Sequence, residues 1–97
     1  MRARKGRRFS RPSFTLQVLS NDLPFARVGL TVTKKLGGAV QRNRIKRRLR
    51  AAVRDIFPLE AQPGHDYVIL ARGKAATRDF PDLLDELRGA LLDAREG

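Results

Sequence analysis

Two segments in the first third of the chain alternate between apolar and polar residues. The apolar positions are Phe14, Leu16 and Val18 in the first segment and Val28, Leu30 and Val32 in the second. Alternation with a period of two is typical of a strand that buries one face and exposes the other. A polar loop, residues 20–24, lies between the two segments. The pattern therefore predicts two strands that pair as a hairpin with a long loop.

Two later segments repeat apolar residues with helical spacing. The first stripe is Ile45, Leu49, Ala52, Val53 and Ile56, and the second is Leu83, Leu84, Leu87 and Leu91. At about 100° per residue, each stripe occupies one face of a helix. The first predicted helix follows the break at Gly37-Gly38, and Pro58 together with the turn at Gln62-Pro63-Gly64 is expected to end it. The second starts near Asp79 and Pro81, which suit the first positions of a helix.

A short apolar run, residues 67–71, lies between the two predicted helices. Its length and continuous apolar character predict a strand that is buried on both faces. Residues 1–11 show neither period and carry six basic side chains, which predicts a flexible basic arm. The resulting order, β-β-α-β-α, predicts a single α/β domain over residues 1–97 in which helices cover a sheet.

The composition adds a strong imbalance of charge to this picture. The net charge is +11, and residues 1–50 hold 15 of the 21 basic residues but only one of the ten acidic residues, Asp22. Such an excess of positive charge repels itself, so a polyanionic partner is expected at this half of the chain. Nucleic acid fits better than a membrane surface, because the most basic stretch lacks the Trp and Tyr residues that anchor interfacial helices.

Several classes of protein do not fit this composition. The chain has no cysteine and one histidine, which excludes a disulfide scaffold and argues against a zinc site. No stretch approaches the roughly 20 apolar residues of a membrane span, and no signal segment is recognisable, so we expect a cytoplasmic protein without membrane contact. The sequence also shows no recognisable catalytic group, because His65 lies in a Pro-Gly turn without a neighbouring nucleophile.

A basic ridge lies opposite the apolar stripe of the first predicted helix. Helical spacing places on this side Asn43, Lys46, Arg47, Arg50 and Arg54. Guanidinium groups bind phosphate oxygens through paired hydrogen bonds, so the ridge suits a nucleic-acid backbone. The alternative is a solvated helix face, but such faces usually mix both signs of charge, and no acid lies between Asp22 and Asp55.

Two features of this region leave alternatives open. Arg42 falls inside the apolar stripe, so either the helix is irregular there or the side chain extends along the edge of the core. Lys34 and Lys35 follow the second predicted strand. They either hold phosphates in the same cleft or keep an exposed strand end soluble.

Residues 27–47 combine a strand that ends in a lysine pair, a glycine break and an Arg-Asn-Arg helix. This stretch closely resembles the signature of the bacterial ribonuclease P protein family, and the resemblance covers roughly residues 12–94. It implies a two-layer α/β sandwich similar to ribosomal protein S5 domain 2, with a left-handed β-α-β crossover. Parallel strands are usually joined by right-handed crossovers, so only the resemblance predicts this hand.

The resemblance also implies a function and a set of site residues. In that family the protein binds a catalytic RNA and the 5′ leader of precursor tRNA, and it assists the Mg²⁺-dependent endonucleolytic removal of the leader. The RNA holds the catalytic centre and most of the Mg²⁺, and no second protein is required. The implied contacts with the catalytic RNA are Lys34, Lys35, Arg42, Asn43, Arg44, Lys46, Arg47, Arg50 and Arg54. The implied contacts with the leader are Phe14, Thr15 and Gln17, together with Phe9 of the arm.

The N-terminus departs from the pattern of the family. Family members usually carry a helix with aromatic residues before the first strand, whereas this chain has a short arginine-rich arm. Either the chain is truncated or the arm replaces that helix by charge alone.

Two other functions stay open. One is a structural ribosomal protein of the same fold, and the other is a DNA-binding helix, which the lack of a helix-turn-helix pattern disfavours.

Overall fold

The computed structural model describes residues 6–96, except the side chain of Glu96. Within this range the chain forms one four-stranded sheet and two long helices. The strands are β1 (Arg7–Ser10), β2 (Phe14–Ser20), β3 (Arg27–Thr31) and β4 (His65–Ala71). The helices are α1 (Ala39–Glu60) and α2 (Phe80–Glu96), and 3₁₀ turns at Lys34–Leu36 and Gly73–Ala76 precede them. The predicted mixed α/β class is therefore confirmed.

The strand order in the sheet is β1-β2-β4-β3, so β4 separates the two strands that were expected to pair. Ile69 of β4 lies opposite Leu16 in an antiparallel pair and beside Leu30 in a parallel pair. The predicted hairpin of β2 and β3 is therefore wrong, because alternation identifies strands but does not identify their neighbours. The segment β3-α1-β4 is a crossover between parallel strands, and its predicted left hand stays a prediction.

Both helices pack on the same face of the sheet. The buried core consists mainly of Phe14, Leu16, Val18, Tyr67 and Ile69 from the sheet, Ile45, Leu49, Ala52 and Ile56 from α1, and Leu83, Leu87, Ala90 and Leu91 from α2. The two predicted helical stripes are thus confirmed, although Val53 and Leu84 are only partly buried. Burial of these apolar side chains is the main term that stabilises the domain.

No helix of the described chain covers the other face of the sheet. In β4 the buried residues Tyr67 and Ile69 alternate with the half-buried residues Val68 and Leu70. The prediction that this strand is buried on both faces is therefore wrong. An apolar run of this length does not reveal that only one layer of helices is present.

Part of the expected basic arm is a regular strand. In β1, Phe9 pairs with Leu16 of β2 and packs against the core. Arg7 donates a hydrogen bond from Nη2 to the carbonyl oxygen of Ala94 over 2.5 Å. This contact places a cation at the C-terminal end of α2, where the helix dipole favours it. The prediction of a flexible arm is therefore wrong for residues 7–10, and residues 1–5 lie outside the described range.

Helix α1 continues through Pro58 and ends at Glu60, just before the turn at Gln62-Pro63-Gly64, so the turn and not Pro58 marks the end of the helix. Proline lacks a backbone N–H and removes one helical hydrogen bond. The last turn is nevertheless closed by the N–H of Ala61, which donates to the carbonyl oxygen of Phe57 over 3.0 Å. In the described part of the chain, neither helix is long and apolar enough to cross a membrane.

Candidate nucleic-acid interface

The outward face of α1 carries exposed polar and basic side chains over three turns of helix. Burial of Ile45 and Leu49 fixes the rotation of the helix about its axis. The positions that consequently face solvent include Asn43, Arg47, Arg50 and Arg54, all of which are exposed. The predicted ridge therefore exists as a continuous surface, and Lys46 lies half-buried on its flank.

The loop before α1 brings two further cations to the start of the helix. Lys34 and Lys35 are exposed in the 3₁₀ turn that links β3 to α1. Gly37 turns the chain into the helix with a φ of 123°, where a side chain would be strained and would lie 3.1–3.2 Å from the side chain of Gln41. The glycine break in the sequence therefore has a geometrical role.

Arg42 lies in regular helix, which excludes the interpretation that the helix is irregular at this position. Its backbone N–H donates to the carbonyl oxygen of Gly38 over 3.0 Å, as expected for the first turn of α1. Its side chain bends back, and Nε donates to the carbonyl oxygen of Gly37 over 3.1 Å. Arg42 thus fastens the preceding loop to the helix as well as adding positive charge.

The cations of this surface form no ion pairs within residues 6–96. The five ion pairs of that range involve other basic residues, namely Arg11, Arg27, Arg78, Arg88 and Arg95. None of the eight basic residues expected to contact catalytic RNA is therefore paired with an acidic side chain within residues 6–96. Acidic residues concentrate instead on α2, where Asp82, Asp85 and Asp93 are exposed. The segregation of charge predicted from the sequence is thus present in three dimensions, and it suits a polyanion at α1.

Two arginines on the flank of α1 form hydrogen bonds with another part of the protein. Arg44 donates from Nε to the carbonyl oxygen of Ala76 over 2.8 Å, and Arg48 donates from Nε to that of Ala75 over 2.8 Å. Arg48 also donates to the carbonyl oxygen of Arg78. These bonds hold the 3₁₀ turn at Gly73–Ala76 against α1. Arg44, which was assigned to RNA, therefore has a structural bond as well.

The four residues assigned to the leader do not share a surface. Phe14 has no exposed area and belongs to the core, so its assignment as a leader contact is corrected. Phe9 is half-buried on the same helix-covered face, where the guanidinium of Arg7 lies 5.5 Å from the centre of its ring. Thr15 and Gln17 point to the opposite face, since successive residues of a strand alternate. Thr15 is only 9% exposed, so Gln17 is the better candidate for a contact on the uncovered face of the sheet.

The uncovered face is a partly apolar surface with a basic residue at its end. Leu19, Val68 and Leu70 are half-buried there beside Gln17. Arg72 is exposed just beyond β4 and donates from Nη2 to Oγ1 of Thr15 over 3.1 Å. The sequence analysis did not identify Arg72, although extending the alternation of β4 by one residue would have placed it on the same face as Leu70.

An ion pair closes the other end of this face. Arg27 donates from Nε and Nη2 to the two carboxylate oxygens of Asp66, with both distances 2.8 Å. The hydrogen bond and the charge of Asp66 raise the pKa of Arg27 above its ordinary value. Asn21 donates to the same carboxylate over 2.8 Å, which ties the β2–β3 loop to the sheet.

Side chains that could ligate a metal ion are not clustered in the described part of the chain. Mg²⁺ prefers several oxygen ligands, usually from carboxylates, water and phosphates. Among residues 6–96 no group of three or more acidic, histidine or cysteine side chains is placed to hold a metal ion.

Both the sequence and the fold of the chain match those of known proteins. The family model described as "Ribonuclease P" matches residues 2–95. The ribonuclease P protein component of Caulobacter vibrioides is 56% identical over 73 residues, which are 75% of this chain and 49% of that protein. The corresponding protein of Erythrobacter litoralis is 43% identical over 95 residues, which are 98% of this chain and 78% of that protein. The chain thus spans about half the length of the first of these relatives.

Solved structures of ribonuclease P proteins also superpose on this chain. An RNase P protein from Staphylococcus aureus, described as a mutant with defective mRNA degradation activity, superposes with a TM-score of 0.79 at 28% identity. The match covers 94% of this chain and 76% of that one. The RNase P protein from Thermotoga maritima gives a TM-score of 0.77 at 26% identity and covers 90% and 82% of the two chains. The resemblance of residues 27–47 is confirmed by these matches: the chain belongs to the ribonuclease P protein family.

Proposed function

We propose that the chain acts as the protein subunit of ribonuclease P in the bacterial cytoplasm. It binds the catalytic RNA of the enzyme, and the complex removes the 5′ leader of precursor tRNA by endonucleolytic hydrolysis. Membership of the family supports a place in this endoribonuclease complex. The protein contributes binding and electrostatics, while the chemical step takes place in the RNA.

The observation that carries this proposal is the set of unpaired cations on and before α1. Each cation that reaches a phosphate releases a condensed counterion, which favours binding and makes it sensitive to salt. Exposed guanidinium groups, as at Arg47 and Arg50, also present paired donors to phosphate oxygens. The rigid helix holds these donors on one line, so they can contact successive phosphates of a folded RNA.

The same cations explain how the protein assists a reaction that needs Mg²⁺ although residues 6–96 hold no cluster of metal-ligating side chains. Catalytic RNA and precursor tRNA are both polyanions and repel each other, and Mg²⁺ reduces this repulsion. Positive charge from the protein reduces it as well, because the two RNAs then approach across a neutralised surface. In this proposal the Mg²⁺ ions are bound by RNA, and the protein lowers the concentration at which they suffice.

The uncovered face of the sheet is the proposed path of the single-stranded leader. Gln17 offers hydrogen bonds, and Val68 and Leu70 offer a half-buried apolar surface on which bases can lie. Arg72 adds a cation at the end of β4. This combination of apolar platform and positive charge suits single strands without demanding a particular sequence.

Purification of the tagged chain from a bacterial cell tests the assembly. We expect an RNA of several hundred nucleotides to co-purify and to cleave precursor tRNA. A variant with Arg47, Arg50 and Arg54 replaced by alanine should lose this RNA, whereas Arg88→Ala on α2 should retain it. Recovery of ribosomal subunits instead would contradict the proposal and favour a structural ribosomal role.

A further inference from the structure

A groove runs between α1 and the outer edge of β3, separate from the uncovered face of the sheet. One part has a volume of about 380 Å³ and a second of about 570 Å³, and both are lined by Val28, Val53 and Arg54. Arg50 borders the first part, and Phe25 borders the second. The two parts therefore form one continuous depression beside the basic ridge.

The walls of this groove are apolar and open to solvent. Phe25 is 51% exposed and Val28 is 44% exposed, which makes them two of the few large apolar side chains outside the core. The carbonyl oxygen of Phe25 accepts a hydrogen bond from the N–H of Gly64 over 3.2 Å. The aromatic ring thus extends from an anchored backbone, and little conformational entropy is lost when a flat group stacks on it.

The rim of the groove is positively charged. Arg50 and Arg54 extend from α1 over the apolar walls, and neither forms an ion pair within residues 6–96. No acidic residue lines either part. Asp66 on the neighbouring strand β4 is held by Arg27 through two hydrogen bonds. An anionic group with a flat apolar portion is therefore the best chemical match.

We propose that an unpaired nucleotide of the bound RNA inserts its base into this groove. The base stacks on Phe25 and packs against Val53, while its flanking phosphates contact Arg54 and Arg50. This inference rests on the proposed RNA-binding function, because the same two arginines belong to the ridge on α1. A backbone contact alone makes no use of exposed aromatic and aliphatic walls, whereas a stacked base covers them and gains their hydrophobic burial.

The test compares two single-stranded probes of equal charge by fluorescence anisotropy at fixed salt. One is a ten-nucleotide oligoadenylate, and the other is an abasic backbone of the same length. Phe25→Ala should weaken binding of oligoadenylate by about fivefold or more and leave the abasic probe unchanged. Leu92→Ala, which removes an exposed apolar side chain from α2, should match the wild type with both probes.

Variants of Arg54 and of Leu70 on the sheet complete the test. Arg54→Ala should weaken binding of both probes, since it removes a phosphate contact. If Phe25→Ala binds both probes like the wild type, or if only Leu70→Ala on the sheet abolishes the preference for bases, the groove proposal is overturned while the docking function stands. If the wild type binds neither probe nor catalytic RNA, both proposals fail. Loss of a dimer in Phe25→Ala without any change in RNA affinity would make the groove a protein interface instead.

Discussion

Arg48 donates a hydrogen bond from Nε to the carbonyl oxygen of Ala75 over 2.8 Å, and this bond joins α1 to the turn before α2. Its neighbour Arg47 points outward and forms no ion pair within the described chain. Adjacent arginines of one basic run therefore have different roles, because one faces a row of backbone carbonyls and the other faces solvent. Stability and RNA binding should respond separately to their removal.

Arg48→Ala should lower the free energy of unfolding by about 1–3 kcal/mol, since it leaves the carbonyl groups of Ala75 and Arg78 without their donors. It also removes a contact with the ring of Phe80, whose centre lies 6.0 Å from the guanidinium carbon. Urea unfolding followed by circular dichroism measures this loss. The salt dependence of RNA binding should stay the same for protein that is folded, and a reduced salt slope would place Arg48 at the RNA instead.

Arg47→Ala should weaken RNA binding and leave stability nearly unchanged, in contrast to Arg48→Ala. Loss of one phosphate contact should lower affinity for catalytic RNA by about two- to tenfold. The slope of log K against log salt should fall by about 0.7–0.9. The free energy of unfolding should change by less than about 0.5 kcal/mol, because the side chain is exposed. Filter binding over a series of salt concentrations measures both RNA quantities, and an unchanged slope would remove Arg47 from the interface.

Phe14→Ala should act on folding rather than on leader recognition. The side chain is fully buried, and truncation of a core phenylalanine costs about 3–5 kcal/mol. Gln17→Ala, on the opposite face of β2, should leave stability nearly unchanged and weaken binding of substrate with a long leader. Thermal unfolding and competition between precursors with long and short leaders separate the two effects. Weaker leader binding by a stably folded Phe14→Ala protein would contradict the position of this residue in the core.

Glu86→Ala should destabilise the protein through a buried network. The carboxylate accepts hydrogen bonds from the backbone N–H of Ser13 over 3.0 Å and from Nε of Arg78 over 2.6 Å. Its removal leaves a buried donor and a partly buried cation without a partner, which costs about 2–3 kcal/mol. Asp85→Ala is the matched control, because that carboxylate is exposed and its loss should cost little. Equal denaturation midpoints for the two variants would rule out this role of Glu86.

The local pattern of the sequence predicted most elements but not their arrangement. The apolar stripes on α1 and α2 were predictable, because residues three or four positions apart lie on the same face of one helix. The position of β4 between β2 and β3 depends instead on pairing across some fifty residues, which no local period records. The strand at Arg7–Ser10 escaped notice because only Phe9 of its four residues is apolar.

Part of the candidate site was likewise predictable from the local sequence, and part of it was not. Helical spacing was sufficient to place Asn43, Arg47, Arg50 and Arg54 on one exposed face. The bonds of Arg44 and Arg48 were not predictable, because the carbonyl groups that they bind lie some thirty residues away in a segment without a pattern. The groove beside Phe25 was equally hidden, since its walls come from a loop, an edge strand and a helix.

Cleavage of a precursor tRNA by a bacterial RNase P RNA at low Mg²⁺ concentration tests the central claim most directly. The reaction is run with the RNA alone, with this protein alone, with both together, and with the variant that lacks Arg47, Arg50 and Arg54. We expect rapid cleavage only when RNA and wild-type protein are both present, and at most weak stimulation by the variant. If the wild-type protein binds the RNA but does not increase the rate of cleavage, the proposed function is contradicted.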